Sequence, residues 1–119
     1  PGGCIIGELP NIASWDFFCF GKFWGGLHVP RHLFLFTPRS LALAARMAGF
    51  DNCRISYSLN TSHWALSCQN LLQSTCAFKT ELHFGRTKYY NFLLAAFIPV
   101  NALAMLFRKT SIINFKIIK

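Results

Sequence analysis

Pro1-Gly2-Gly3-Cys4-Ile5-Ile6-Gly7-Glu8-Leu9-Pro10-Asn11 is the stretch from which the rest of the chain can be read. The leading Pro and Gly residues form a turn signal, and Pro10-Asn11 closes the segment. Residues 4–9 between them are a short, mostly apolar run bounded by turn formers, which reads as a buried strand. The run is too short for a membrane span or for the apolar core of a signal peptide. No charged leader precedes it and the first residue is Pro, so the segment reads as the interior of a longer chain.

Residues 12–36 follow, crowded with aromatics (Trp15, Phe17, Phe18, Phe20, Phe23, Trp24, Phe34, Phe36) and interrupted by Gly21, Gly25, Gly26 and Pro30. Such a stretch predicts an irregular lid, and a long loop inside a domain is usually functional. Thr37 then offers an N-cap hydroxyl, Pro38 fits the first helical position, and Leu41, Ala44, Ala45 and Ala48 recur at helical spacing before Gly49. These signals predict a helix over 38–48. Next, Cys53, Ile55, Tyr57 and Leu59 alternate with Arg54, Ser56, Ser58 and Asn60, the period-2 pattern of a strand with one wet face at a sheet edge. Residues 62–84 are ambiguous, with a short helix around 64–72. A long apolar helix bent near Pro99 is expected over 88–107. Residues 111–118 read as a strand that is apolar on both faces and hence interior. The order of strand, lid, helix, strand, helices, strand predicts an α/β sheet with helices on its faces.

Of the 119 residues, 53% are apolar and 13% charged, against about 25% charged in an ordinary soluble domain. The apolar surplus implies either contact with a membrane or a core face that belongs to a larger fold. Twelve Lys and Arg against four acids give a net charge of +8. The cations are scattered singly without a basic run, so no nucleic-acid partner is expected. Five cysteines at 4, 19, 53, 68 and 76 include no C-x-x-C pair, which fits reduced cytoplasmic thiols. His63, Cys68, Cys76 and His83 match no zinc spacing, and no metal is expected.

The opening segment, followed in order by Phe20-Gly21-Lys22-Phe23-Trp24, Pro30-Arg31-His32-Leu33, Phe36-Thr37-Pro38, Ser40-Leu41 and Ala48-Gly49-Phe50, resembles class I S-adenosylmethionine-dependent methyltransferases, in their small-molecule branch. The resemblance covers residues 1–59 and is compositional beyond. It implies the C-terminal half of a Rossmann-like fold, with strands five, six and seven, helices and an aromatic lid, as one incomplete domain over 1–119. In that fold the sixth strand lies at the sheet edge, and the seventh inserts antiparallel between the fifth and sixth. Residues 53–59 suit the edge and residues 112–118 the interior position. Arg108-Lys109-Thr110 departs from the Gly-Asp-Glu-like turn that usually precedes the last strand.

The resemblance also implies chemistry. S-adenosylmethionine is held by a Gly-rich loop and an acidic residue of the missing N-terminal half, so no cofactor-binding residue is assigned here. What remains is the substrate side, because ligands in open α/β sheets bind outside the carboxyl ends of the strands. His32 is the catalytic candidate, since an imidazole can take a proton from a hydroxyl or amine at neutral pH. A structural histidine bonded to backbone is the alternative. Glu8 and Asn11 are placed to face the cleft, although Glu8 equally fits a surface ion pair and Asn11 a turn. Trp24 forms the pocket wall or simply core. Arg31 holds an anionic group of a small-molecule substrate or pairs with Glu8. The uncharged run 89–107, flanked by Arg86 and Lys88 and by Arg108 and Lys109, supports a competing reading, a small membrane-associated protein without catalytic function. Asn91, Asn101 and Pro99 inside the run favour packing on the sheet or peripheral contact with a membrane surface over a span. A third reading is an inactive, degenerate methyltransferase fragment.

Overall fold

The computed structural model of the chain describes residues 3–27, 32–50, 52–75 and 88–118. Three strands, β1 (Cys4–Pro10), β2 (Asn52–Tyr57) and β3 (Ile112–Ile118), form one sheet in the order β1-β3-β2. β3 is antiparallel to both neighbours, which makes β1 and β2 parallel to each other. The register places Ile117 between Ile5 and Cys53, and Ile113 between Leu9 and Tyr57. The central place goes to the strand that is apolar on both faces, with Ile112, Ile113 and Ile117 buried. β2 alternates between exposed and half-buried residues, as an edge strand with one wet face should. β1 was expected to be buried but forms the opposite edge and is largely exposed, with Ile6 accessible to 70%. It pairs on one side only, and its alternating side chains meet few neighbours. Gly7 lies opposite Phe115, whose ring covers it so closely that a Cβ there would come within 2.8 Å of Cζ.

Helix α2 (Pro38–Met47) forms as expected. The Thr37 hydroxyl accepts the Ser40 N–H at 3.0 Å, and the Ser40 hydroxyl accepts the Thr37 N–H at 2.9 Å, closing a reciprocal cap. Gly49 follows with φ 81°, a left-handed conformation that glycine adopts without steric cost. The aromatic stretch is more regular than its composition implies. It holds α1 (Trp15–Phe20), followed by a short 3₁₀ turn (Gly21–Phe23). Ser14 caps α1 by accepting the Phe17 N–H at 3.3 Å, and Asp16 sits in the first turn, where the helix dipole favours an acid. Aromatic residues are poor helix formers, so packing rather than propensity holds this helix.

That packing is against α3 (Ser62–Ser74), longer than the short helix anticipated around 64–72. Phe20 of α1 meets Trp64 edge to face at 5.9 Å, and Trp64 stacks on Phe97 at 5.2 Å. Gly25 lets the chain touch α3, since a Cβ there would lie 2.6 Å from Leu66 Cβ and 2.9 Å from the His63 carbonyl oxygen. The single bent helix expected over 88–107 is instead two, α4 (Tyr90–Ala96) and α5 (Ile98–Leu106). The break falls at Phe97, two residues before Pro99. Pro99 lacks an N–H, and its ring excludes the carbonyl one turn back, so one continuous ladder cannot form. No helix among the described residues is long and apolar enough to cross a membrane.

Candidate functional site

The carboxyl ends of β1 and β2 lie at one edge of the sheet, where β3 begins. Several chain segments converge there. Asn11 pairs in parallel fashion with Phe36, and the Ile12 N–H donates to the Phe36 carbonyl at 3.1 Å. The Asn11 N–H donates to the Ser111 carbonyl at 2.8 Å, and the Trp15 N–H to the Lys109 carbonyl at 3.1 Å. The Ser58 N–H reaches the Ile112 carbonyl at 3.4 Å. Bonds from distant parts of the sequence thus hold this edge together.

Two clefts open on it. The one beside β1, about 600 Å³, is lined by Ile12, Ala13, Ser14, Trp15, Phe17, Phe18, Gly21 and Lys109. The one beside β2, about 800 Å³, is lined by Pro38, Ile55, Ser56, Tyr57, Ala102, Met105, Leu106 and Arg108. Each is a mostly apolar hollow with one cation, and the cations are neighbours in sequence. Arg108 adopts φ 58°, the left-handed conformation that ends α5, where its N–H donates to the Met105 carbonyl at 3.0 Å. The Lys109 N–H donates to the Ala104 carbonyl at 2.7 Å, completing the reversal of the chain into β3. One turn therefore supplies a cation to each cleft.

A buried polar group lies behind α1. Asp16 is fully buried, and its Oδ2 accepts the Trp24 indole N–H at 2.5 Å. Oδ1 of the same carboxylate has no hydrogen-bond partner among the described residues. The Trp24 ring stands edge-on to Phe17 at 5.1 Å and to His63 at 5.6 Å. Ser67 accepts the Gly25 N–H at 2.8 Å and donates to the His63 carbonyl at 2.5 Å, which ties the segment after Trp24 to α3. The aromatic segment is anchored by a carboxylate rather than left loose. No group of His, Cys, Asp and Glu suited to hold a metal ion occurs among the described residues. Cys76 and His83 lie outside them.

No family model, no curated protein and no solved structure matches this chain significantly. The assignment of a site therefore rests on the residues themselves.

The residues singled out from the sequence do not converge. Asn11 stands at the end of β1, but its side chain is fully buried and turned to the backbone. Its Nδ2 donates to the Thr110 carbonyl at 2.9 Å, and its Oδ1 accepts the Ala13 N–H at 2.9 Å. Trp24 is core, accessible to 1%, and lines neither cleft. Glu8 is exposed on β1, opposite Asn114 in the register. His32 is half-buried, a few residues before the Phe36 pairing, and lines neither cleft. Arg31 lies outside the described residues. Ser14, Tyr57, Arg108 and Lys109 occupy the positions that face the clefts and were not anticipated. One signal was available for the anchor, since Asp16 is the sole acid in residues 12–36 and follows a Ser at cap spacing.

Proposed function

We propose that this chain supplies the substrate side of the cleft of an S-adenosylmethionine-dependent methyltransferase acting on a small molecule. The strand order supports the reading most. An edge strand, a central antiparallel strand and a second edge strand parallel to the first form the arrangement that the resemblance implies for the fifth, seventh and sixth strands. On this reading the sheet continues beyond β1, whose free backbone edge pairs with a further strand and whose exposed Ile5 and Ile6 are covered by helices on the two faces of a Rossmann-like domain. The two clefts at the carboxyl ends of the strands are where an open α/β sheet takes its ligand.

The cofactor would be held mainly by residues outside these 119, and when bound it supplies the methyl group. The residues present do the rest. The hollow beside β1 receives the body of the acceptor, and Lys109 meets an anionic group on it. His32 is the candidate to take the proton from the acceptor's hydroxyl or amine, or to orient it. Asp16 keeps Trp24 and the aromatic segment in place behind the pocket wall.

Calorimetric titration of S-adenosylmethionine tests this reading. A protein carrying this chain together with its upstream sequence should bind the cofactor saturably, and the 119-residue chain by itself should not. In that longer protein, His32→Ala should lower turnover by about 10²–10⁴ if the imidazole acts as general base, with cofactor affinity nearly unchanged. Absence of cofactor binding by the longer protein would overturn the assignment.

A further inference from the structure

Helix α5 is inverted relative to a surface helix. Such a helix turns its apolar residues inward and its polar residues to water. In α5 the polar residue, Asn101, is buried and donates from Nδ2 to the Ser58 carbonyl at 3.4 Å. Only Ala104 is buried with it, while Ile98, Val100, Leu103, Met105 and Leu106 are exposed, Leu106 to 77%. Phe92 of α4, accessible to 71%, and Phe107 just past α5 extend the apolar surface. An isolated exposed leucine needs no explanation, but a contiguous row of large apolar side chains marks a surface that something covers.

The charge around this row identifies the covering. Lys88 precedes α4, and Arg108 and Lys109 follow α5, all of them exposed. From Leu82 to Lys119 the chain contains no acid at all. A protein groove that takes an apolar helix has no need of cations at both ends of it, and the interior of a sheet domain would exclude them. A bilayer with anionic headgroups fits both features, because acyl chains accept the apolar face while phosphates and carboxylates meet the cations. The helices do not cross. At about 1.5 Å per residue neither reaches the ~30 Å of a hydrocarbon core, and the break at Phe97 keeps them separate. Asn101 stays on the protein side, where its Nδ2 donates to the Ser58 carbonyl.

We propose that the outer face of α4 and α5 docks on an anionic lipid bilayer surface, lying in its plane. This does not depend on the methyltransferase reading. Flotation of the 119-residue chain with vesicles tests it, because vesicle-bound protein rises in a density gradient and aggregated protein does not. Vesicles of phosphatidylcholine with about a third phosphatidylglycerol should carry the chain upward. Vesicles of phosphatidylcholine alone should bind it on the order of 100-fold more weakly, as expected when three cations each gain about 1 kcal/mol at an anionic surface. About 0.5 M salt should release most of it, since the Debye length then falls well below 8 Å. Leu106→Glu with Phe92→Glu should abolish flotation while leaving circular dichroism unchanged, as both side chains are exposed. Lys88→Gln with Arg108→Gln should weaken binding to anionic vesicles alone. Equal binding to both vesicle types, no flotation with either, or flotation unaffected by the glutamate substitutions would each overturn the proposal. So would a dimer in lipid-free solution that the two glutamates dissociate.

Discussion

Asn11→Ala is the substitution whose outcome the structure specifies most sharply. The Asn11 side chain joins the end of β1 to the start of β3 across most of the chain, donating to the Thr110 carbonyl and accepting the Ala13 N–H, both at 2.9 Å. It is fully buried, as is Thr110. Alanine removes both bonds and leaves a buried carbonyl and a part-buried N–H without those partners. A typical bond contributes about 1 kcal/mol net, but a buried group left unsatisfied costs about 1–3 kcal/mol. The expected loss is therefore about 2–4 kcal/mol, at the upper end where no water enters the vacated space. Urea denaturation followed by tryptophan fluorescence would measure it. Asn11→Asp sharpens the test by making the loss depend on pH. A protonated carboxyl can still donate to the Thr110 oxygen, whereas an ionised one sets two oxygens against each other in a buried site. Burial and that bond both favour the neutral form, so the folded-state pKa of the new carboxyl rises above about 3.9, its unfolded value. The folded state then binds more protons than the unfolded state, and stability falls as pH rises. This variant should be near parental stability below about pH 4 and lose stability as pH climbs through the raised pKa. A loss under about 0.5 kcal/mol for Asn11→Ala, or a pH-independent Asn11→Asp, would refute the assignment of Asn11 as a structural tie.

Three further outcomes follow from particular contacts. Gly25→Ala should cost about 1–3 kcal/mol in the same denaturation assay, because the new Cβ would lie 2.6 Å from Leu66 Cβ and 2.9 Å from a backbone oxygen that cannot swing away. Arg108→Gly should stabilise the chain by about 1 kcal/mol, since the position holds φ 58° and glycine removes the left-handed penalty; an unchanged thermal midpoint would show that the turn is not strained. Burial pushes the Cys53 and Cys68 thiols up, leaving less thiolate at a given pH, so iodoacetamide at pH 8 should alkylate exposed Cys4 and Cys19 first. The gap should narrow as pH rises, and peptide mapping by mass spectrometry over time would reveal the order.

The elements read correctly from the sequence were those governed by local chemistry. Thr37, Pro38 and Gly49 mark α2 because capping, a fixed φ and a left-handed exit act within a few residues of the chain. The alternation of Cys53, Ile55 and Tyr57 marks an edge strand, because the pleat turns successive side chains to opposite faces. The apolar run before Lys119 likewise reads as an interior strand, and β3 occupies that place. Residues 12–36 misled because glycines and aromatics argue against a helix locally, while α1 is held by Ser14, Asp16 and the Phe20–Trp64 contact. One helix bent near Pro99 was expected, but the ladder is interrupted at Phe97, because Pro99 lacks an N–H and its ring excludes the carbonyl one turn back.

For the candidate site the division is sharper. Composition and pattern alone determined a mixed α/β chain with one strand interior, one strand at an edge, a capped helix between strands, and a basic, acid-free last third. Only the tertiary structure decided that Asn11 and Trp24 face inward, that Asp16 holds the indole, and that Arg108 and Lys109 reach separate clefts. It also decided that α5 turns Asn101 toward the protein and its large apolar residues away. A residue's type and its neighbours in sequence set which secondary structure it can join. The face it presents depends on which distant segment packs against that element, and those partners here lie tens of residues away.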